Sequence, residues 1–302
     1  MTCVMVEPKH FQHQPVLLAE ALDALSIKPA GLYLDATLGL GGHCEAILRA
    51  DAQSRLLGLD WDPQSAARAA ERLAPFGDRA RLRVGNFRSA GTILESERFF
   101  PLDGALFDLG VSSMHFEDAR RGFSFAREGP LDMRLSPESP LTAETIVNRW
   151  PEDQIATLIK EYGEDPNARR IARAIVQARA KSPIKTTTEL AAVIAGASPR
   201  EGKLNPATLT FMALRIAVNG ELDNIAQGLE SILPFMRRGG RIAVITFHSL
   251  EDRIVKNLFA SFVEKGSCRF VGKRAQAVRP CAAEIERNAR ARSAKLRAVE
   301  KL

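Results

Sequence analysis

Three short apolar runs, each ending in an aspartate and each followed by a turn and a helix-patterned stretch, constrain this chain most. They are Leu32-Tyr-Leu-Asp35, Leu56-Leu-Gly-Leu-Asp60 and Gly104-Ala-Leu-Phe-Asp108. Short strands of this composition are buried on both faces, as parallel strands flanked by helices are. Arg81 to Val84 reads as a further strand between the second and third of these runs. The intervening helices are predicted over Val16–Leu25, His43–Ala50 and Ser89–Phe99, and from Asp62–Pro63 to Gly77. Asp62 there serves as the N-cap and Pro63 as the first helical residue. Repeated β-α pairs of this kind predict an α/β fold with a doubly wound parallel sheet.

The pattern breaks in the middle of the chain. Between about Glu117 and Val218 no run reads as a strand. Ile155, Leu158, Ile159 and Tyr162 form a helical stripe that stops at Gly163. Asp165–Pro166 opens a second helix, with Ile171 and Ile175 inside and Arg169 and Arg173 outside. Asn205–Pro206 begins a third. Strand patterning returns at Arg241–Phe247, after a predicted Gly239–Gly240 turn. The division expected is an α/β domain formed by residues 1–115 and 219–302, with an all-helical insertion of residues 116–218 between its fourth and fifth strands.

Of 302 residues, 45% are hydrophobic and 26% charged, which excludes a mostly disordered chain. No apolar run approaches the roughly 18 residues of a membrane span. With Glu7, Lys9 and His10 so close to the start, no secretory leader is read, and a soluble cytoplasmic protein is expected. Cys3, Cys44, Cys268 and Cys281 form no C-x-x-C pair, so reduced thiols and no zinc site are expected. The net charge is +6, and residues 263–302 hold 11 Lys/Arg against 4 Asp/Glu. A basic tail on a near-neutral body fits a nucleic-acid partner, and equally fits a solvated surface.

Between the first strand and its helix lies Asp35-Ala-Thr-Leu-Gly39-Leu-Gly41-Gly42-His43. Glycines there let a ligand approach the backbone, beside free N–H groups of a helix start. Asp60 ends the second strand, where a carboxylate accepts from ribose hydroxyls. The combination points to an adenosine-containing cofactor, against a glycine turn needed only for packing. Cys44 stands where a dinucleotide fingerprint needs glycine or alanine, and no G-K-[ST] follows for a nucleoside triphosphate. Asp35 would repel a pyrophosphate and favour a sulfonium, so S-adenosylmethionine fits best. Phe87 is a candidate cover for the adenine or a core-edge ring. Asp108, at the end of the fourth strand, is a candidate crevice residue or a turn cap.

Methylation at a pyrimidine carbon uses a cysteine nucleophile, and the Pro280–Cys281 pair is attached to no strand end. A nitrogen or oxygen acceptor needs only in-line approach and a proton acceptor, for which Asp108 is the candidate. Arg121, Phe123, Phe125 and Arg134 lie in Arg121-Gly-Phe-Ser-Phe125 and Gly129-Pro-Leu-Asp-Met-Arg134, and suit either base stacking with phosphate pairing or a packed hinge. Ser249-x-x-Asp252 is a capping-box spacing, leaving His248 as a possible pocket residue.

These blocks, with His13-Gln-Pro-Val-Leu-Leu18, Asp108-Leu-Gly-Val-Ser-Ser113, Tyr162-Gly-Glu164, Ala207-Thr-Leu-Thr-Phe211, Phe247-His-Ser-Leu-Glu-Asp-Arg-Ile-Val-Lys256 and Arg292-Ser-Ala-Lys-Leu-Arg297, are similar to those of one family. From about His13 to Lys301 the chain resembles the bacterial small-subunit (16S) ribosomal RNA cytosine-N4 methyltransferases. The resemblance implies a Rossmann-like class I methyltransferase sheet with an inserted all-helical substrate-recognition domain. It implies methyl transfer from S-adenosyl-L-methionine to the exocyclic N4 amine of one cytidine in the decoding region. By motif, cofactor contacts fall on Gly41, Gly42, His43, Asp60, Phe87, Asp108 and His115. Candidate RNA contacts are Arg121, Phe123, Phe125, Arg134, Arg169, Arg173, Arg292, Lys295 and Arg297, the last three in the basic tail beside Arg287 and Arg290. Departures from the family pattern are His115 and Met212 for glutamine, Glu117 for aspartate, Cys44 for serine and Ala289 for proline. Competing readings are a DNA or small-molecule methyltransferase, and an assembly factor that binds the cofactor only for structure.

Overall fold

Alternation along the apolar runs divides their side chains between two faces, and both faces are buried. Leu34, Leu57, Leu59, Phe107 and Val244 enter one core, while Tyr33, Leu56, Leu106 and Ile245 enter another on the opposite side. Helices on both sides supply the partners that a period-two, all-apolar strand requires.

The computed structural model describes residues 15–198, 205–272 and 276–302. His13 and Gln14 of the first motif, Cys3, and Lys273 and Arg274 of the basic segment lie outside the described residues. The elements are α1 (Leu18–Leu25), β1 (Leu32–Asp35), α2 (Gly42–Ala50), β2 (Arg55–Asp60), α3 (Pro63–Leu73), β3 (Ala80–Val84), α4 (Ala90–Glu97) and β4 (Leu102–Asp108). Then come α5 (Ser113–Glu117), α6 (Ala143–Arg149), α7 (Glu152–Gly163), α8 (Ala168–Lys181), α9 (Thr187–Ala197), α10 (Ala207–Asn219) and α11 (Glu221–Ile232). The chain finishes with β5 (Met236–Thr246), α12 (Ser249–Glu264), β6 (Cys268–Phe270), α13 (Ala282–Arg287) and β7 (Lys295–Lys301). Among the described residues no helix is long and apolar enough to cross a membrane.

The sheet has seven strands in the order β3-β2-β1-β4-β5-β7-β6. Strands β1 to β5 pair in parallel, and β7 pairs antiparallel with both β5 and β6. The doubly wound parallel sheet read from the sequence is therefore present, extended by two strands. The predicted Gly239–Gly240 turn is a bulge inside β5: Met236 faces Leu102 and Arg241 faces Gly104, with the extra residues looped out between. Helix α3 stops at Leu73, short of Gly77, and tighter turns carry the chain to Arg79 with Gly77 at φ 55°.

The basic tail is not a tail. β7 lies between β5 and β6, and its Lys295 and Arg297 are tied to Asp252 of α12 at 2.8 and 2.7 Å. Their charge serves that buried carboxylate within the fold. Glu284 of α13 accepts from the backbone N–H of Leu17 at 2.7 Å, which joins the C-terminal segment to the N-terminal helix.

Among the described residues no strand interrupts the stretch between β4 and β5. Its helices enclose a core of their own, built on Ile146, Ile159, Ile171, Ile175, Ile194 and Leu214. Two glycine-containing segments strap this core. Gly122 has φ +72°, and a Cβ there would overlap the carbonyl of Pro130. A Cβ on Gly129 would overlap the carbonyl of Ala119. Gly129 N–H donates to Thr187 Oγ1 at 3.1 Å, and Thr187 N–H donates back to its carbonyl at 2.9 Å.

This close approach makes Gly129→Ala destabilising by about 1–3 kcal/mol or more, since backbone on both sides must move. Urea unfolding of the variant checks it. An unchanged midpoint would show that the strap has room to spare.

Candidate active site

The carboxyl ends of the parallel strands form one rim, and the loop after β1 is folded onto it by hydrogen bonds to its neighbours. Asp108 N–H donates to Thr37 Oγ1 at 2.6 Å, joining the loop to β4. Gly39 N–H donates to Asp60 Oδ2 at 2.8 Å, joining it to β2. Asp60 Oδ1 accepts from Asp62 N–H, also at 2.8 Å, so each oxygen of Asp60 has one backbone donor and keeps a free lone pair. Burial lifts the Asp60 carboxyl to about 7, against these two hydrogen bonds and with the Asp62 and Asp35 charges adding.

Asp35 does not face the crevice. It is 1% exposed, with Thr37 N–H on one oxygen and the Cys44 thiol on the other, both at 3.1 Å. Burial lifts it to about 6, against those bonds. Its effect on a ligand is through its field rather than contact. Cys44 gives Asp35 the donor that a serine hydroxyl would give, and burial and Asp35 push its thiol well up, so it is unreactive.

Gly41, at φ +75°, starts α2, and a Cβ on Gly42 would overlap the Pro15 ring. His43 Nε2 lies 3.1 Å from the Val16 carbonyl, which can only accept, so the proton is on Nε2. Its Nδ1 lies 3.6 Å from Asp108 Oδ2. The Pro15–Val16 segment thus clamps the glycine loop and aims His43 at Asp108. Asp108 Oδ1 is shielded from water with no hydrogen-bond partner. Burial, with Asp35 and Glu251 nearby, raises the carboxyl well above the ordinary range.

Asp62 caps α3 as the sequence predicts, its Oδ1 accepting from Gln64 N–H at 3.0 Å. Its Oδ2 also takes His115 Nε2 at 2.7 Å and Arg121 Nη1 at 3.0 Å. Burial raises this carboxyl, but the bonds from His115 and Gln64 and the Arg121 charge bring it down to about 2. Arg121 also donates to the carbonyls of Arg134 and Leu135, and Phe123 is 5% exposed. Arg134 is spent on Asp132 and on the carbonyls of Pro137 and Ser139. Phe125 packs edge-on to Phe211 at 4.9 Å. In the first motif Arg121 and both rings are thus packed against the fold, and in the second Arg134 is held by its own neighbours. Arg169 and Arg173 on α8 and Arg292 are exposed, with Arg173 only 3.7 Å from Glu152. Arg290 stacks over Phe116 at 5.6 Å.

Phe87 packs edge-on to Phe107 at 5.6 Å and against Gly228, while staying partly exposed beside the end of β3. Its neighbour Asn86 has a shielded Nδ2 with no partner, a donor that no sequence signal singled out. His248, the N-terminal neighbour of α12, lies 3.1 Å from Glu251 Oε1. The capping box of α12 is formed by His248 as N-cap with Glu251, not by Ser249 with Asp252, and Glu251 also accepts from Phe247 N–H at 2.7 Å. Asp252 instead holds β7, and Ser249 donates to Glu164 of the helical segment at 2.6 Å. Arg215 and Glu221, paired at 2.9 Å, complete the polar set beside His248 and carry no local motif.

A sheet of this strand order with only β7 reversed, a glycine loop after β1 and a carboxylate ending β2 has the architecture of a class I methyltransferase. The chain belongs to the MraW methylase family, whose model matches residues 10–302. It is 47% identical to the ribosomal RNA small subunit methyltransferase H of Symbiobacterium thermophilum, over 97% of each chain. It is 48% identical to the protein of that name from Geobacter sulfurreducens, over 97% of this chain and 99% of that one.

The Asp62 pairing sets an acid limit on stability. A carboxyl at about 2 when folded, against ~3.9 unfolded, contributes about 2.5 kcal/mol above pH 4 that is lost as pH falls toward 2. Asp62→Ala leaves Arg121 and His115 without their anion, at a cost of about 3–5 kcal/mol at pH 7. Denaturant titrations of both proteins at pH 7 and pH 3 check this. A variant within about 1 kcal/mol of the parent at pH 7 would reduce the site to an ordinary helix cap.

Proposed function

We propose that this protein transfers a methyl group from S-adenosyl-L-methionine to the exocyclic N4 amine of a cytidine in the decoding region of small-subunit ribosomal RNA. The coarser reading, cofactor-dependent methylation of that RNA, rests on family membership and on relatives named for it along nearly their whole length. The observation that carries the cofactor is the rim itself: a glycine loop, an Asp60 with a free lone pair on each oxygen, and two shielded, unpartnered atoms, Asp108 Oδ1 and Asn86 Nδ2. A nucleoside with a cationic tail answers all of them.

When bound, S-adenosylmethionine supplies an electrophilic methyl group on a sulfonium. Asp60 would hold the ribose hydroxyls, Asn86 and Phe87 the adenine, and Gly41 and Gly42 would let the backbone come close. His43 aims Asp108, and His115, whose Nδ1 has no partner, lines the same end of β2. Burial and two neighbouring carboxylates raise the Asp108 carboxyl, and its Oδ1 has no hydrogen-bond partner. It is suited to orient the target amine by accepting its N–H at Oδ1. Substrate recognition is assigned to the helical segment, residues 116–218, with Arg169 and Arg173 exposed toward a phosphate backbone, and with Arg292 beyond it.

Small subunits from a strain lacking N4-methylcytidine, incubated with the protein and labelled cofactor, are expected to yield labelled N4-methylcytidine after nuclease digestion. Label in a different nucleoside would overturn the N4 assignment, and no label in RNA would favour the assembly-factor reading. Cofactor affinity is expected to rise about tenfold from pH 5.5 to 8. The raised carboxyls Asp35 and Asp60, at about 6 and 7, lose their protons over that range and then favour a cation. Calorimetry showing an affinity independent of pH would remove these carboxylates from cofactor binding.

A further inference from the structure

Beside the rim, where β5 meets the helical segment, four polar side chains come together, and the capping box of His248 and Glu251 at the start of α12 accounts for only part of the set. Arg215 of α10 donates from Nε and Nη2 to the two oxygens of Glu221 at 3.0 and 2.9 Å. Glu251 of α12 is 1% exposed and uses Oε2 for the backbone N–H groups of Phe247 and His248. Its Oε1 faces His248 Nε2 at 3.1 Å. Donor atoms of Glu221, His248 and Glu251 lie within 4.8 Å of one another. Nδ1 and Nε2 of His248 are both shielded from solvent without a hydrogen-bond partner, Nε2 being held near Glu251 by the ion-pair distance alone.

Two carboxylates and an imidazole have the donors of a metal site, but Arg215 already occupies both oxygens of Glu221. A divalent ion there would sit against a guanidinium. The charge count points elsewhere. With a neutral imidazole the four groups carry one net negative charge, and with an imidazolium they carry none. A buried set is most stable when its charges cancel, so this one has a place for a single added proton. A ring whose Nε2–H faces the Glu251 carboxylate keeps its lone pair on Nδ1.

The set stands on the substrate side of the rim. Asp108 lies opposite Ile245 in the β4–β5 register, and His248 follows β5 by two residues. The Phe247 ring comes within 3.5 Å of a Cβ built on Gly110, and the Glu251 charge is felt at Asp108. The adenosine anchors, Asp60 and Asn86, lie on the opposite side of β1, toward β3. An amine entering between β4, β5 and the helical segment therefore meets Asp108 and His248 together.

We infer that His248, held by Glu251, takes the proton released when the target amine is methylated; this rests on the reaction proposed above. The N4 nitrogen bonds to the methyl carbon as the carbon–sulfur electron pair returns to sulfur. One N4–H proton passes to Nδ1 of the neutral imidazole. The positive charge lost at sulfur reappears on the imidazolium, and Glu251 stabilises it there. Glu221 and Arg215 fix the position of this pair as positioning residues. Besides these, the charged groups facing His248 are Glu164 at the end of α7, which feels its charge, and Asp108 across Glu251.

The test uses the full chain, saturating cofactor and unmethylated small subunits in single-turnover assays across pH. His248→Asn and His248→Gln are expected to slow the methylation step about 100-fold or more and to abolish its acid limb. Affinities for cofactor and subunits, measured separately by calorimetry and filter binding, stay within about twofold. In the parent protein, NMR of labelled histidine is expected to show the His248 ring taking up its proton over the pH range of that limb. Glu251→Gln, which keeps a carbonyl oxygen for the cap, moves the limb to lower pH. Variants that methylate at the parent rate overturn the assignment, and so does an acid limb that survives in them, which would return the proton to Asp108. A parent protein that makes no N4-methylcytidine fails the functional reading and takes this inference with it. A parent that makes it while the variants match it fails the proton assignment alone.

Discussion

One carboxylate couples the sheet to the helical segment. Asp62 begins as an ordinary N-cap, spending one oxygen on the first turn of α3. Its other oxygen receives a ring nitrogen from His115 and a guanidinium from Arg121, both from the chain that leaves β4. Arg121 spends its Nη2 on carbonyls at the start of the helical core. The direction in which that core departs from the rim is thus fixed by a buried, charge-assisted contact rather than by apolar packing. Glu164, bonded to Ser249 and Arg253, makes a second tie on the other side. The Arg215–Glu221 pair between α10 and α11 adds a further polar link, and these links end at residues that cap helices or border the site.

The rim shows how far neighbours decide the state of one side chain. Asp60 and Asp62 are two residues apart, yet one carboxyl is raised to about 7 and the other lowered to about 2. Both are desolvated. Asp62 has the Arg121 guanidinium and a His115 ring nitrogen from another part of the chain, whereas Asp60 has only backbone N–H groups and like charges around it. Asp35, beside the Cys44 thiol, and Asp108, near His43, are raised as Asp60 is. Anionic capacity without a protein counter-ion has accumulated along one edge of the sheet, and it is relieved by a ligand that brings positive charge or hydroxyl donors.

What was legible in the sequence follows from the range of each interaction. Strands β1 to β4, the glycine loop and the Asp62 cap are written within a few consecutive residues, and periodicity and turn chemistry recover them. The helical run from Pro151 to Gly163 was equally plain. β7 was not, because only Leu296 and Val299 of its seven residues are buried and its lysine and arginine find their anion more than forty residues away. Arg121 and Phe123 read equally well as an RNA platform or a hinge. Their partners lie on α3 and across the helical core, at separations no local pattern reports. His248 was visible as a pocket candidate, but Arg215 and Glu221 acquire meaning only from being brought beside it.

The position of β7 bears on how the chain is made. β7 follows β6 in sequence yet lies between β5 and β6, and it is the partner through which β6 joins the sheet. While the chain grows from its N-terminus, β5 presents an open strand edge through the synthesis of the next fifty or so residues. β6 cannot dock until β7 has been threaded beside it. Only then does the Asp252 carboxylate receive its two cations and Glu284 reach Leu17. Closure of the sheet is therefore a late, all-or-nothing event in biosynthesis, and the nascent chain is most open to mispairing just before it occurs.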